Sequence, residues 1–222
     1  MFLKLKAEKD AEYAEKMRVK KMPLKARIEN LKNLNAIPDS YFETLKYSDK
    51  KKFTSIDIPD NIKAIGKSAF SGCYISSVNI PNSVTSIGRK AFYYCDFPTI
   101  KLPKYLEIIS KEAFLGCSLE TVDIPRNIKI IGELAFAACR YLKEVTLHNG
   151  LTTIGPGAFQ ECSELRALTI PKTVTEIGEY AFLYCNKLKE IVFEGRTLEE
   201  VQEMKNFTKW KPNIKRLMKA GI

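Results

Sequence analysis

The sequence is dominated by an internal repeat of 22 or 23 residues, which constrains the fold more than any other feature. An Ala-Phe pair recurs six times, and a cysteine follows each phenylalanine three positions later. The phenylalanines are Phe70, Phe92, Phe114, Phe136, Phe159 and Phe182, at spacings of 22, 22, 22, 23 and 23 residues. Because a unit this short cannot bury its own apolar side, neighbouring units must stack and share one continuous core.

Each repeat is predicted to contribute one short strand. An alternating apolar pair such as Val122 and Ile124 follows every cysteine, and this period is typical of a strand with one buried face. Ile56 and Ile58 supply the same pair ahead of the first repeat, which gives about seven strands in one parallel sheet. The glycine before each Ala-Phe pair is expected to adopt a positive φ, and Ser110, which replaces it once, to be mildly strained.

The repeat resembles the BspA-type leucine-rich repeat family. The unit that starts at Ile170-Pro171 carries the pattern, with Ile177-Gly178, then Ala181-Phe182, then Cys185. Six such units cover about residues 53 to 193. The resemblance implies an α/β repeat solenoid of the leucine-rich repeat type, capped by helices at both ends. It also implies protein binding through an extended sheet, and often a role as a surface adhesin.

Both flanks are predicted to cap the solenoid. Pro23 predicts the start of a cap helix, the segment 36–45 aligns with 64–73 as a degenerate repeat, and Thr197 with Glu200 fits a capping box. We therefore divide the chain into a basic N-terminal extension (1–22), an N-terminal cap with a degenerate repeat (23–52), the solenoid (53–195), and a C-terminal helical cap with a basic tail (196–222).

The formal net charge of +10 lies entirely in the flanks. Residues 1–52 carry a net charge of +6 and residues 196–222 one of +4, whereas residues 53–195 are neutral. Basic side chains interleaved with aromatic ones can bind nucleic acid, but acidic proteins are bound by the same means. The candidate basic contacts are Lys50, Lys51, Lys52, Lys209, Lys211, Lys215 and Arg216.

Two surfaces of the solenoid are further candidates for binding a protein. The exposed face of the predicted sheet carries the row Asp57, Asn79, Lys101, Asp123, Thr146 and Thr169. Any solvated sheet face carries small polar residues, and this one lacks the Trp or Arg anchors typical of binding hot spots. The turns carry Tyr93, Tyr94, Tyr180 and Tyr184, which indicate either partner contacts or packing against the caps.

The sequence contains no recognisable catalytic apparatus. It has one histidine, His148, and lacks a Gly-rich phosphate loop, a nucleophile elbow and a C-x-x-C motif. The six cysteines share one register beside the core phenylalanines, which favours buried structural thiols over disulfides or metal ligands. We therefore expect no enzymatic activity, no metal and no cofactor.

These features favour a protein–protein interaction or structural module, anchored in a larger assembly by its basic tails. The alternatives are a nucleic-acid-associated assembly subunit and a cell-surface or virion host-recognition adhesin. No stretch reaches the roughly 20 apolar residues of a membrane span, and the N-terminus lacks the apolar core of a signal peptide. We therefore expect a cytoplasmic or virion component that is not classically secreted.

Overall fold

The computed structural model of the chain describes residues 2–204, 209 and 218–221. The helices are α1 (Phe2–Lys21), α2 (Leu24–Asn30), α3 (Tyr47–Lys52) and α4 (Leu198–Gln202), with a 3-10 turn at Leu31–Asn33. The strands are β1 (Ala36–Ile37), β2 (Ser55–Asp57), β3 (Ala64–Ile65), β4 (Ser77–Asn79), β5 (Ser86–Ile87), β6 (Ile108–Ile109), β7 (Thr121–Ile124), β8 (Ile130–Ile131), β9 (Glu144–Leu147), β10 (Thr153–Ile154), β11 (Ala167–Ile170), β12 (Glu176–Ile177), β13 (Glu190–Glu194) and β14 (Met218–Gly221).

Two rows of parallel strands run along the molecule and confirm the predicted solenoid. The front row consists of the strands that follow each cysteine and pairs β2 with β4, β7 with β9, and β11 with β13 and β14. The back row consists of two-residue strands at the Ile-Gly pairs and was not predicted. It forms because the isoleucine of each pair is buried, while its backbone bonds to the same position in the next repeat.

The core is a stack of phenylalanine rings between the two rows. Seven rings lie nearly parallel, with centroids 4.9 to 6.2 Å apart and interplanar angles of 13° or less. The first of them is Phe42, so the degenerate repeat belongs to the same stack. Its strand β1 pairs with β3 in the predicted register, Ala36 opposite Ala64. Such offset ring contacts add to the apolar burial that stabilises the array.

The cysteines line the same core as free thiols, as predicted. All six are buried, and each Sγ donates to the carbonyl oxygen of the phenylalanine in the preceding turn, at 2.9 to 3.8 Å. Burial raises the pKa of Cys73 and Cys139 to about 12. Since the thiolate is the reactive form, these side chains act as small apolar residues with a weak donor.

The expectation of a positive φ at the Ile-Gly glycines is wrong. Apart from those of Gly150 and Gly195, the positive φ angles fall one residue before each Ala-Phe pair or its equivalent, as at Glu112 (57°), and two residues after each repeat phenylalanine, as at Gly116 (71°). Close stacking explains the glycines instead. A Cβ on Gly132 would lie 2.7 Å from the carbonyl oxygen of Ile109, and one on Gly88 would lie 2.6 Å from the amide nitrogen of Lys67.

One interface of the array lacks strand pairing in both rows. In the back row β5 does not pair with β6, and Ser110 Oγ donates to Ile87 O at 2.5 Å where other repeats use a glycine amide. In the front row residues 99–102 form no strand, so that β7 has no strand partner on that side. Pro98, just before this segment, has no amide hydrogen to donate to the repeat of β4. The third of the seven predicted front strands is therefore missing, although Phe92 and Phe114 still stack at 5.5 Å.

The N-terminal cap contains a buried arginine that its spacing did not predict. Arg27 of α2 is fully buried, whereas the neighbouring Ile28 is 36% exposed. The guanidinium donates to Thr44 Oγ1 (2.8 Å), to Met22 O (3.0 Å) and to the carbonyl oxygen of Tyr41. Burial lowers the pKa of Arg27. The cap is therefore held by hydrogen bonds to carbonyl groups as well as by apolar contacts.

The C-terminal cap has its predicted capping box and an additional strand. Thr197 Oγ1 accepts from the Glu200 amide at 3.2 Å, and the Glu200 carboxylate accepts from the Thr197 amide at 2.8 Å. Val201 and Met204 are buried against the array. Strand β14 lies within the segment predicted as a basic tail and extends the front row by pairing with β13.

Candidate protein-binding surface

The front face carries the predicted polar row as a continuous exposed strip. All six of its candidate residues are exposed. Strand pairing places Asp57 opposite Asn79 and Asp123 opposite Thr146, whereas Lys101 lies in the segment that forms no strand. Five steps of about 4.8 Å make this strip about 24 Å long. Backbone ladders fix the spacing at two of these five steps, from β2 to β4 and from β7 to β9.

A cleft of about 600 Å³ opens in this face between β9 and β11. These neighbouring strands lack the ladder that joins β7 to β9 and β11 to β13. Two of the predicted residues, Thr146 and Thr169, line the cleft. The structure thus joins part of the predicted row to a concave site.

Charged side chains of both signs border the cleft. Lys143 and Arg166 lie on its basic side, and Glu144 and Glu194 contribute carboxylates. Lys143 and Arg166 were not predicted as contacts from the sequence. Their signal is positional, because both immediately precede a front strand, as Lys189 does in the next repeat. A cleft with balanced charge suits the mixed charges of a protein surface better than an anionic small molecule.

His148 lies at the end of the same face. Its Nε2 is 2.8 Å from Asp123 Oδ1, and its side chain is 31% exposed. The pair ties the end of β9 to β7 across one repeat.

The turn aromatics form one cluster and two single residues. The rings of Tyr93 and Tyr94 lie 4.6 Å apart, and Lys90 Nζ lies 5.0 Å from the Tyr93 centroid. Tyr94, Tyr180 and Tyr184 are each more than half exposed. Exposure of this kind is available for contact with a partner, since tyrosine is enriched in protein interfaces.

Four of the seven predicted basic contacts lie within the described residues. Lys50 Nζ donates to Ser71 O at 3.1 Å, and Lys51 Nζ lies 4.9 Å from the Tyr47 ring. Lys209 Nζ lies 2.6 Å from a Glu179 carboxylate oxygen, and Lys52 is exposed. The remaining three, Lys211, Lys215 and Arg216, lie outside the described residues. Nucleic-acid binding through these residues stays a prediction.

Within the described part of the chain, no group of three or more His, Cys, Asp or Glu side chains could hold a metal ion. None of the helices described here is both long and apolar enough to cross a membrane.

The comparisons with known proteins agree with the repeat pattern. The sequence profile described as a BspA type leucine rich repeat region matches six copies, over residues 36–118 and 107–211. No curated protein matches the chain by sequence.

Among solved structures, the chain is similar to the pneumococcal vaccine antigen PcpA, with a TM-score of 0.60 and 29% identity. The match covers 64% of this chain and 40% of that one. A leucine rich cell surface protein from Faecalibacterium prausnitzii A2-165 is 23% identical, with a TM-score of 0.48 over 73% of this chain and 52% of that one. The chain thus spans about half or less of the length of these two structures.

Proposed function

Because the chain belongs to the BspA-type leucine-rich repeat family, we propose that it is a non-enzymatic module that binds a protein partner through its front face. The observation that carries this proposal is the charge-balanced cleft between β9 and β11, set within an exposed polar strip. A strip of about 24 Å is too long for one small ligand and suits the standard dimensions of a protein interface.

The proposal predicts that bulk placed in the cleft abolishes partner binding. The test variant is Thr146→Arg with Thr169→Arg, which fills the cleft without touching the core. Its matched control is Thr175→Arg, an exposed threonine of the back side. The measurement is retention of a partner that copurifies with the wild-type chain. Retention by the cleft variant, or equal loss by the control, would contradict the proposal.

The basic tails are proposed to anchor the module in a larger assembly. Deleting the C-terminal tail would be ambiguous, because β14 pairs with β13. Replacing Lys211, Lys215 and Arg216 with glutamine removes the charge while leaving that strand intact. The control replaces three exposed array lysines, Lys63, Lys104 and Lys172, with glutamine. Anchoring predicts loss of assembly only in the tail variant, and equal behaviour of the two would refute it.

A second candidate is a recognition role on a cell or virion surface. It is favoured by the similarity to a pneumococcal protein that is a vaccine antigen. Antibodies against the front face should then label intact source cells or particles. Labelling only after permeabilisation would remove this candidate and leave the binding proposal unaffected.

A further inference from the structure

A row of residues on the turn side is defined by one repeated backbone hydrogen bond. In seven successive turns, the amide that follows a row residue donates to the carbonyl oxygen of the row residue in the next turn, at 2.8 to 3.3 Å. The last of these bonds runs from Tyr180 N to Lys209 O at 2.9 Å, so Lys209 takes the place of an eighth row residue. This turn row consists of Asp39, Lys67, Arg89, Lys111, Glu133, Pro156, Glu179 and Lys209.

Reading the turn row from its other end replaces the charge at each position with the opposite charge, except where Arg89 and the neutral Pro156 correspond. One acidic residue is followed by three basic ones, then by an acidic, a neutral, an acidic and a basic residue. The midpoint lies between Lys111 and Glu133. The mirrored pairs about this midpoint are Asp39 with Lys209, Lys67 with Glu179, Arg89 with Pro156, and Lys111 with Glu133. Three pairs are oppositely charged, and no pair has like charges.

We propose that the turn row is the interface of a symmetric dimer, in which a second copy of this chain lies antiparallel against it. A two-fold axis in the plane of contact, perpendicular to the solenoid, maps the row onto itself in reverse. Every charged mirrored pair then becomes an attractive contact between copies. Eight rungs at about 4.8 Å give a contact about 34 Å long. The inference goes beyond the proposed function, since the face and the occupant both differ.

A neighbouring row in the same turns fits the same axis. Its residues lie two positions after each phenylalanine and include the exposed Tyr94 and Tyr184. In the antiparallel dimer Tyr94 would face Glu161, and Tyr184 would face Gly72. Near the axis the row holds Gly116 and Ala138, and the ring of Tyr94 packs over Gly116, where a Cβ would lie 2.7 Å from a ring carbon. Bulky side chains therefore meet small or polar ones.

The charged residues of the turn row remain accessible to a second copy. Lys111 lies 2.5 Å from Glu133, and Lys209 lies 2.6 Å from Glu179, but these four side chains are 39 to 56% exposed. Lys67 is exposed as well. Each group can therefore contact a copy across the axis while keeping its neighbour in the same chain. An interface of this kind should weaken as salt screens it.

Complementary charge reversals test the dimer directly. Lys67 and Glu179 lie five rungs, about 24 Å, apart in one copy, so they contact each other only across the proposed axis. Sedimentation velocity on the full chain should show a dimer for the wild type at low ionic strength. Lys67→Glu and Glu179→Lys, each alone, should weaken dimerisation by about tenfold or more, because like charges then face each other. An equimolar mixture of the two variants should restore the dimer, since both contacts between positions 67 and 179 are again opposite in sign.

The matched control is Lys101→Glu, which makes the same change in charge on the front face. It should leave dimerisation unchanged, and thermal unfolding should show that all the variants are folded. Raising the salt from about 50 mM to about 500 mM should shift the wild type toward monomer. A monomeric wild type at low salt, a mixture that stays monomeric, or a control that dissociates as strongly as Lys67→Glu would each overturn the proposal.

Discussion

Two neighbouring stacking interfaces of the same solenoid differ in how their backbones meet. At the regular interface, Gly132 N donates to Ile109 O at 2.8 Å, and strands pair in both rows. At the irregular interface, one repeat earlier, Ser110 replaces the glycine and neither row pairs. The phenylalanine stack crosses both interfaces with similar spacing, 5.3 Å and 5.5 Å. Core packing and backbone pairing are therefore separable in this fold.

Charged side chains bridge the irregular interface, where the strand ladders are missing. Arg89 Nη2 lies 2.9 Å and Lys90 Nζ 3.1 Å from the buried Glu112 carboxylate. Lys111 lies 4.0 Å from the same carboxylate. Because Glu112 belongs to the later repeat and its two closest partners to the earlier one, the cluster fastens the two repeats together. An ion cluster can therefore take over part of the role of a strand ladder.

The largest effect is expected from closing the space at the regular interface. Gly132→Ala should lower the free energy of unfolding by about 3 kcal/mol, because the new Cβ would meet backbone atoms of the preceding repeat. Chemical denaturation measures the change. The control is Ser110→Ala, which keeps the existing Cβ, removes one hydrogen bond and should cost about 1 kcal/mol. Equal losses at the two positions would show that the interfaces are not different in packing.

The next largest effect is expected at the ion cluster. Glu112→Gln should destabilise the fold by about 2 kcal/mol, because Arg89 and Lys90 lose a charged hydrogen-bond acceptor. The matched variant Glu133→Gln affects a half-exposed carboxylate at the regular interface and should cost less than about 1 kcal/mol. If Glu133→Gln costs as much as Glu112→Gln, the cluster is not specific to the irregular interface.

The cluster should also make the stability depend on pH. Burial raises the pKa of Glu112, but hydrogen bonds from Lys90 and Arg89 outweigh it, so that the pKa lies below its ordinary value of 4.5. The stabilisation is then complete above 4.5, the pKa of the unfolded chain, and is lost as the pH falls through the lower pKa of the folded state. The wild type should lose more stability than Glu112→Gln between neutral pH and this acid range. Parallel pH profiles would exclude the effect.

Removing a core cysteine is expected to destabilise the fold by a smaller amount, which should be equal at the two interfaces. Cys117→Ala and Cys139→Ala should each cost about 1 kcal/mol, since each removes one thiol bond to a phenylalanine carbonyl that keeps a second donor. Cys117 crosses the irregular interface and Cys139 the regular one. Equal values measured by denaturation would show that the two interfaces differ only around Ser110 and Gly132 and not in the cysteine packing. A difference of more than about 1 kcal/mol would show that it extends through the core.

The smallest effect is expected from repairing the irregular interface. Ser110→Gly should change the unfolding free energy by less than about 0.5 kcal/mol, because it exchanges a side-chain hydrogen bond for a backbone one. Hydrogen exchange should reveal it instead, through slower exchange of the amide at position 110. An unchanged exchange rate would mean that Ser110 is not the residue that keeps β5 and β6 from pairing.

The repeat arithmetic alone predicted the solenoid, the buried thiols, the degenerate repeat at Ala36 and the capping box at Thr197. These features follow from local patterns that a stacked array satisfies in only one register. The cause assigned to the Ile-Gly glycines was wrong because a close approach between repeats leaves no trace in one repeat. The front cleft was missed for a similar reason, since Lys143 and Arg166 come together only when strands stack.

The sequence by itself therefore determined the stacking, because each repeat must bury its apolar side against the next one. Only the tertiary structure decided which backbones pair, where a charge cluster replaces a strand ladder, and that Lys209 continues the turn row. These outcomes depend on distances of a few tenths of an ångström between residues that lie about 22 positions or more apart. Local propensity does not encode such distances, whereas close packing between repeats fixes them.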